Sequence, residues 1–163
     1  MATPFHVELV TPERVLFSGE ADEVSMRTDA GEIAFLAHHE DFIGAVDITV
    51  AKINVTDGTS PDAEGTELVA AVHGGFVHVD DNGVRILAGV AELASEVDVE
   101  RARAALASAG EGERVEERAT EHAGDGEVAM SPAMVALLEP ESADARARRA
   151  RARLEAAGVT AAV

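Results

Sequence analysis

The chain of 163 residues contains no cysteine, tryptophan or tyrosine, and its aromatic residues are five phenylalanines. Without cysteine it can form no disulfide, bind no metal through thiolates and use no thiol nucleophile. A core must therefore be built mainly from Val, Leu, Ile and Ala. No apolar run approaches the ~18 residues of a membrane-spanning helix, and the N-terminus has no secretory signal pattern. We therefore expect any membrane contact to be indirect.

Positive charge is scarce as well. Thirteen basic residues stand against 31 acidic ones, which gives a net charge of −18, and Lys52 is the single lysine. Residues 1–90 hold 16 acids and 4 bases, and residues 91–163 hold 15 and 9. Both parts should repel a phosphate backbone. The charge therefore indicates that nucleic acid is not a partner.

The first 90 residues are divided into short segments by turn residues. "FHVELV" (5–10) alternates apolar and polar positions, as a half-buried strand does. Asn82-Gly83 predicts a hairpin, because both residues tolerate positive φ. Similar strand patterns recur at 14–19, 22–28, 32–37, 43–55, 67–73, 74–79 and 84–89. The sequence thus predicts an α+β fold in which residues 1–90 form an antiparallel β-sandwich, or flattened barrel, of eight to ten short strands.

Residues 91–163 change to alanine, arginine and glutamate at helical spacing. We predict helices at about 98–109, 132–138 and 143–157, with an inserted connection over 110–141. Gly110 and Gly112 are predicted to interrupt the first helix. The last helix is apolar almost only through alanine, and such a helix is marginal alone in water. It therefore needs a surface to lie against, on the sandwich or on another protein.

Four ordered segments carry a resemblance to a known family. They are "TPERVLFSGEADEV" (11–24), "GEIAFLAHHEDFIGAV" (31–46), "HGGFVHVDDNGVRILAGVAE" (73–92) and "VDVERA" (97–102). In this order they resemble the epsilon subunit of the bacterial rotary F-type ATP synthases. The chain departs from the family at 37–41, where Ala-His-His-Glu-Asp replaces the usual Pro-Gly-His-Ala-Pro and retains only the second histidine.

The resemblance implies a non-catalytic central-stalk subunit that requires no metal or cofactor. Its sandwich would bind the gamma subunit and the ring of c subunits at the cytoplasmic face of the cell membrane, coupling rotation to ATP synthesis. Its helical tail would fold against the sandwich, or extend along gamma into the alpha/beta hexamer and restrain ATP hydrolysis. Register with the family's docking turn places the partner contact at Glu32, His39, Glu40, Asp41 and Phe42.

"VDVERA" also resembles the Ile/Leu-Asp-x-x-Arg-Ala motif through which some bacterial members bind ATP between the tail helices. By this resemblance a regulatory ATP site would comprise Glu92, Asp98, Arg101, Ala102, Arg149 and Arg153. A purely structural interpretation is also open. Asp98 suits the start of a helix, where the dipole favours an acid, and the arginines would then only solubilise an alanine-rich helix. The sequence has no Gly-rich phosphate loop.

Two other classes of protein compete with this hypothesis. "HHED" (38–41), with His73 and His78, offers ligands for a metal-dependent enzyme, but neighbouring residues on an extended chain point to opposite sides. The other alternative is a free-standing β-sandwich binding module in which the helical tail serves for dimerisation. We prefer the ATP synthase hypothesis, because four segments support it in register.

Overall fold

A computed structural model describes residues 3–56, 67–120 and 143–159. Within these ranges seven strands precede a short 3-10 helix, Ala94–Glu96, and two α-helices. The strands are β1 Phe5–Val10, β2 Val15–Thr28, β3 Gly31–Phe35, β4 Phe42–Val55, β5 Glu67–Asp80, β6 Gly83–Ala88 and β7 Ala91–Leu93. The helices are α1 Val99–Thr120 and α2 Ala143–Ala156. The predicted α+β class is confirmed.

The strands are ordered β1-β6-β5-β4-β2-β3, and β1 also pairs with β2. That second pairing closes the sheet on itself, as the sandwich or flattened barrel of the prediction requires. Every neighbouring pair is antiparallel except β1 with β6, which are parallel. β3 remains at an edge, and β7, which lies past residue 90, pairs with β5. The core between the walls is mostly aliphatic, including Val7, Leu9, Ile53, Val77 and Ile86, and Phe35 is its largest fully buried side chain.

The described residues form seven strands, and not the predicted eight to ten short ones. β2, β4 and β5 are each 14 residues long, and β2 and β5 each join two segments that were predicted as separate strands. β5 bends at Gly74 and Gly75, with φ of 79° and 140°. A Cβ on Gly75 would lie 2.2 Å from the carbonyl oxygen of Leu87. This glycine pair therefore turns the strand from one wall of the sandwich to the other without ending it.

The tail lies against the sandwich through α2, on the face that carries Ala71. α2 packs on α1 and on β4 and β5, where Ala152 and Ala156 contact Ala71. Small side chains allow the helix to approach the sheet closely. α1 continues past Gly110 and Gly112 to Thr120, because a glycine costs a helix only about 1 kcal/mol. The predicted helix at 132–138 lies outside the described residues.

Candidate functional site

The better buried of two ion pairs between the sandwich and α2 in the described residues joins Glu92 to Arg153. β7 places Glu92 opposite Ala71 of β5, on the face that α2 covers. Arg153 of α2 donates from Nε and Nη2 to Glu92 Oε1, at 2.8 and 2.6 Å. Both side chains are 29% exposed, so water screens this pair less than it screens a surface pair.

A buried histidine lies beside this ion pair. His73 of β5 is 6% exposed, and neither ring nitrogen has a hydrogen-bond partner in the described part of the chain. Burial, as the largest cause, and the charges of Arg153 and Arg149 together lower the pKa of His73 to about 4, although the charge of Glu92 opposes them. The ring is therefore neutral at pH 7. It faces the tail, a position that the sequence interpretation of His73 as a metal ligand did not foresee.

The six residues predicted for a regulatory ATP site fall into two groups. Glu92 and Arg153 are in contact, and Arg149 lies one helical turn before Arg153, half-buried. At the start of α1, the Asp98 carboxylate accepts a hydrogen bond from the Arg101 backbone N–H at 2.9 Å. The Asp98 carbonyl accepts one from the N–H of Ala102, also at 2.9 Å. Asp98 therefore caps the helix, and the nucleotide site stays a prediction.

The donor chemistry beside α2 fits a nucleotide. Arg149 and Arg153 carry the guanidinium groups that phosphates prefer. The imidazole of His73, which has no hydrogen-bond partner among the described residues, can accept one hydrogen bond from a bound base or donate one to a base or phosphate. Glu92 already occupies two N–H groups of Arg153, so a phosphate would have to use the remaining N–H groups or displace the carboxylate.

The predicted docking turn contains two packing residues. The rings of His39 and Phe42 lie 5.1 and 5.5 Å from that of buried Phe35. His39 is fixed further, since its Nδ1 lies 2.7 Å from the carbonyl oxygen of Glu40 and its backbone N–H donates to the carbonyl of Leu36 at 3.2 Å. These contacts give the turn a defined shape despite the missing prolines.

The acids of the same turn face solvent. Glu32 on β3 is exposed, as are Glu40 and Asp41 between β3 and β4. They are available to a partner, and their negative charge suits a basic one.

The sandwich also has an apolar outer face, defined by Ile43, Phe76, Leu87 and Val15, which the sequence interpretation missed. These side chains are 72%, 59%, 49% and 59% exposed. Phe76 lies opposite Leu87 of β6 and Ala45 of β4, and directly opposed residues share a face. The alternation of Phe76 and His78 with two buried valines could have revealed it. Exposed apolar side chains in a contiguous group commonly mark a protein interface.

The described residues contain neither a metal-binding cluster nor a helix that could span a membrane. Within 3–56, 67–120 and 143–159, no group of three or more His, Cys, Asp or Glu residues is placed to hold a metal ion. None of the helices described is both long enough and apolar enough to span a membrane.

Comparison with known proteins identifies relatives over most of the chain. Residues 4–94 match the family described as ATP synthase, Delta/Epsilon chain, beta-sandwich domain. An ATP synthase epsilon chain from Streptomyces avermitilis is 40% identical over 119 residues, which are 72% of this chain and 90% of the relative. The epsilon chain from Halalkalibacterium halodurans is 35% identical over 153 residues, 94% of this chain and 96% of the relative.

Two solved structures share the fold. A chain in the Euglena gracilis mitochondrial ATP synthase structure, described as OSCP/F1/c-ring, has a TM-score of 0.61 and 22% identity. The alignment covers 94% of this chain and 81% of that one. A chain in the Tetrahymena thermophila mitochondrial ATP synthase central stalk and c-ring has a TM-score of 0.55 and 16% identity, covering 96% and 98%. At these identities the likeness concerns the fold.

Proposed function

The chain belongs to the family of ATP synthase epsilon chains, and from this premise we propose how its two parts work. The epsilon chain is a non-catalytic accessory subunit of a membrane-associated complex. In our proposal the sandwich of this chain binds the gamma subunit and the c-ring at the cytoplasmic face of the membrane and transmits rotation. The helical tail regulates ATP hydrolysis by the alpha/beta hexamer.

The observation that carries the rotor role is the apolar outer face. Ile43 and Phe76 are each more than half exposed, and such side chains are stabilised when a partner covers them. The exposed acids of the docking turn provide an adjacent charged rim, as protein interfaces commonly have. We assign the apolar outer face to the gamma subunit and the docking turn to basic loops of the c-ring.

Purification of the tagged chain from its own membranes tests this role. Alpha, beta and gamma subunits should co-purify with the wild-type chain. Phe76→Ser should reduce their recovery, whereas Val90→Ser, which removes an exposed valine outside the apolar outer face, should not. Recovery of the wild-type chain alone, or only with itself, would favour a free-standing module.

The tail's regulatory role is supported by its docking on the sandwich. The folded tail is held by alanine packing and by the Glu92–Arg153 and Asp47–Arg148 ion pairs, and an extended tail would have to break all of these contacts. Hydrolysis by the complex then depends on the free-energy difference between the folded and extended tails. A nucleotide bound at Glu92, Asp98, Arg101, Ala102, Arg149 and Arg153 favours the folded tail by its difference in affinity for the two states.

Titration of the isolated full chain with MgATP tests the nucleotide site. Arg149→Gln should weaken binding, and Arg146→Gln, an exposed arginine on the same helix, should not. Asp98→Ala removes both a carboxylate and a helix cap, whereas Asp98→Ser retains a capping oxygen. Loss of binding in both Asp98 variants supports a ligand role for the carboxylate. Loss in Asp98→Ala alone assigns only a cap, and absence of saturable binding in the wild type refutes the site.

A further inference from the structure

A groove of about 730 Å³ lies on the other flank of α2, between that helix and the outer faces of β2, β3 and β4. It is separate from the nucleotide site, since neither His73, Glu92 nor Arg153 lines it and no α1 side chain that the structure describes does. Four of the 13 basic residues of this acidic chain line it, namely Arg27, Lys52, Arg148 and Arg151. A volume of this size suits a small molecule.

Sheet and helix both contribute cations to this groove. Lys52 of β4 lies opposite Ser25 of β2, and Arg27 lies two residues further along β2, within the range of a long side chain. On α2, Arg148, Arg151 and Glu155 form one stripe at i, i+3 and i+7. The groove is therefore a cleft with positive groups on both walls.

Most of these cations have no acidic partner among the described residues. Asp47 and Asp144 neutralise Arg148, at 3.3 and 3.2 Å. Within the residues that the structure describes, Arg27, Lys52 and Arg151 have no carboxylate oxygen within 4.0 Å. Two further acids, Glu32 and Glu155, also line the groove. The lining residues together carry four positive and three negative charges, in a chain whose net charge is −18.

We propose that this groove binds a small polyanion of the phosphate or carboxylate class between Arg27 and Lys52 of the sheet and Arg151 of α2. Guanidinium and ammonium groups recognise both classes. The aliphatic side chains of Ile48 and Val50, which also line the groove, keep part of it apolar and strengthen charge interactions there.

Such a ligand would fasten the tail to the sandwich. It contacts α2 and the sheet together, so its full set of contacts exists only while the tail is folded. Ligand binding therefore stabilises the folded tail in proportion to its preference for that state. The binding itself does not depend on the rotor role, whereas its effect on hydrolysis rests on the function proposed above.

The test is a calorimetric titration of the full chain with pyrophosphate, and separately with citrate, at constant ionic strength. Wild-type chain should bind one of them saturably, with a Kd below about 1 mM. Lys52→Gln and Arg151→Gln should each weaken binding about tenfold through loss of one charged contact. Arg146→Gln removes the same charge from α2 outside the groove and should change the Kd less than about twofold.

Each outcome decides the proposal. Preference for pyrophosphate assigns a phosphate ligand, and preference for citrate assigns a carboxylate ligand. Absence of saturable binding, or equal weakening by Arg146→Gln, overturns the proposal, the latter because binding would then reflect general charge. If Arg153→Gln weakens anion binding and Lys52→Gln does not, the anion binds in the nucleotide site, and this result also overturns the proposal.

Hydrogen exchange supplies a second readout. The bound anion should slow amide exchange over Ala143–Ala156 in the wild-type chain and leave it unchanged in Lys52→Gln. Binding without slower exchange in α2 would refute the fastening of the tail. Because this experiment uses the isolated chain, its failure would not affect the proposed rotor role.

Discussion

Replacement of Glu92 by glutamine should loosen the tail while leaving the sandwich folded. The substitution keeps the size of the side chain and removes the charge that Arg153 contacts at 2.6 and 2.8 Å. A hydrogen bond to a charged group contributes about 1.5–3 kcal/mol, and an exposed ion pair about 0–1 kcal/mol. At 29% exposure of both partners, we expect tail docking to lose about 1–2 kcal/mol.

Hydrogen exchange of the α2 amides measures this loss. A decrease of 1–2 kcal/mol in the opening free energy should accelerate exchange over Ala143–Ala156 by about 5–30-fold. Glu100→Gln is the matched control, since Glu100 pairs with Arg103 at 2.8 Å but is 84% exposed. Unchanged α2 exchange in Glu92→Gln, or equal acceleration in β5 and β6, would refute the reasoning.

Three further outcomes are expected. An NMR titration of the His73 ring should give a pKa near 4, which Arg153→Gln should raise; a midpoint at the ordinary 6.5 would contradict the burial. Because the pKa of His73 is lower in the folded than in the unfolded chain, its contribution to the free energy of unfolding is fully present above pH 6.5 and is lost as the pH falls towards 4. Urea unfolding at pH 5 should therefore give a free energy about 2 kcal/mol lower than at pH 7. Gly83→Ala should lower the free energy of unfolding by about 3 kcal/mol or more, because its Cβ would lie 2.0 Å from the carbonyl oxygen of His6. Gly31→Ala has open space around the new Cβ and should lose only about 1–2 kcal/mol from its positive φ. Equal losses in thermal unfolding would contradict this comparison. Phe76→Ser should change unfolding stability by less than about 1 kcal/mol despite its effect on co-purification, and a larger loss would place the ring in the core.

Local features of the sandwich were predictable because short-range chemistry determines them. Asn82-Gly83 predicted a hairpin, and the structure has one, in which Gly83 adopts a φ of 131° and the Asn82 N–H donates to the Asp80 carboxylate at 2.8 Å. The alternation in "FHVELV" likewise predicted β1. Neither feature requires knowledge of distant residues.

Strand lengths were less predictable because pairing across the fold determines them. Gly74-Gly75 was predicted to separate two strands, but β4 pairs with β5 on both sides of these glycines, β7 pairs before them and β6 pairs from Gly75 onward. Those pairings hold the bent segment in one strand. A local breaker signal was thus overridden by contacts with residues far along the chain.

The site depends still more on long-range contacts. Glu92 and Arg153 are 61 residues apart in sequence, and only the docking of α2 on β5 brings His73 between the sheet and the tail. A resemblance to the family indicated the first two residues. No local pattern indicated that a buried histidine lies beside them, or that Lys52 faces a groove.

The most direct test of the account compares ATP hydrolysis by the purified complex in three forms. These carry the full chain, the Glu92→Gln chain, or a chain ending at Val97, which retains β7 and lacks both helices. If the folded tail permits hydrolysis and the extended tail restrains it, Glu92→Gln should lower the rate and truncation should raise it above that of the full chain. Equal rates in all three complexes would contradict a regulatory tail held by this ion pair.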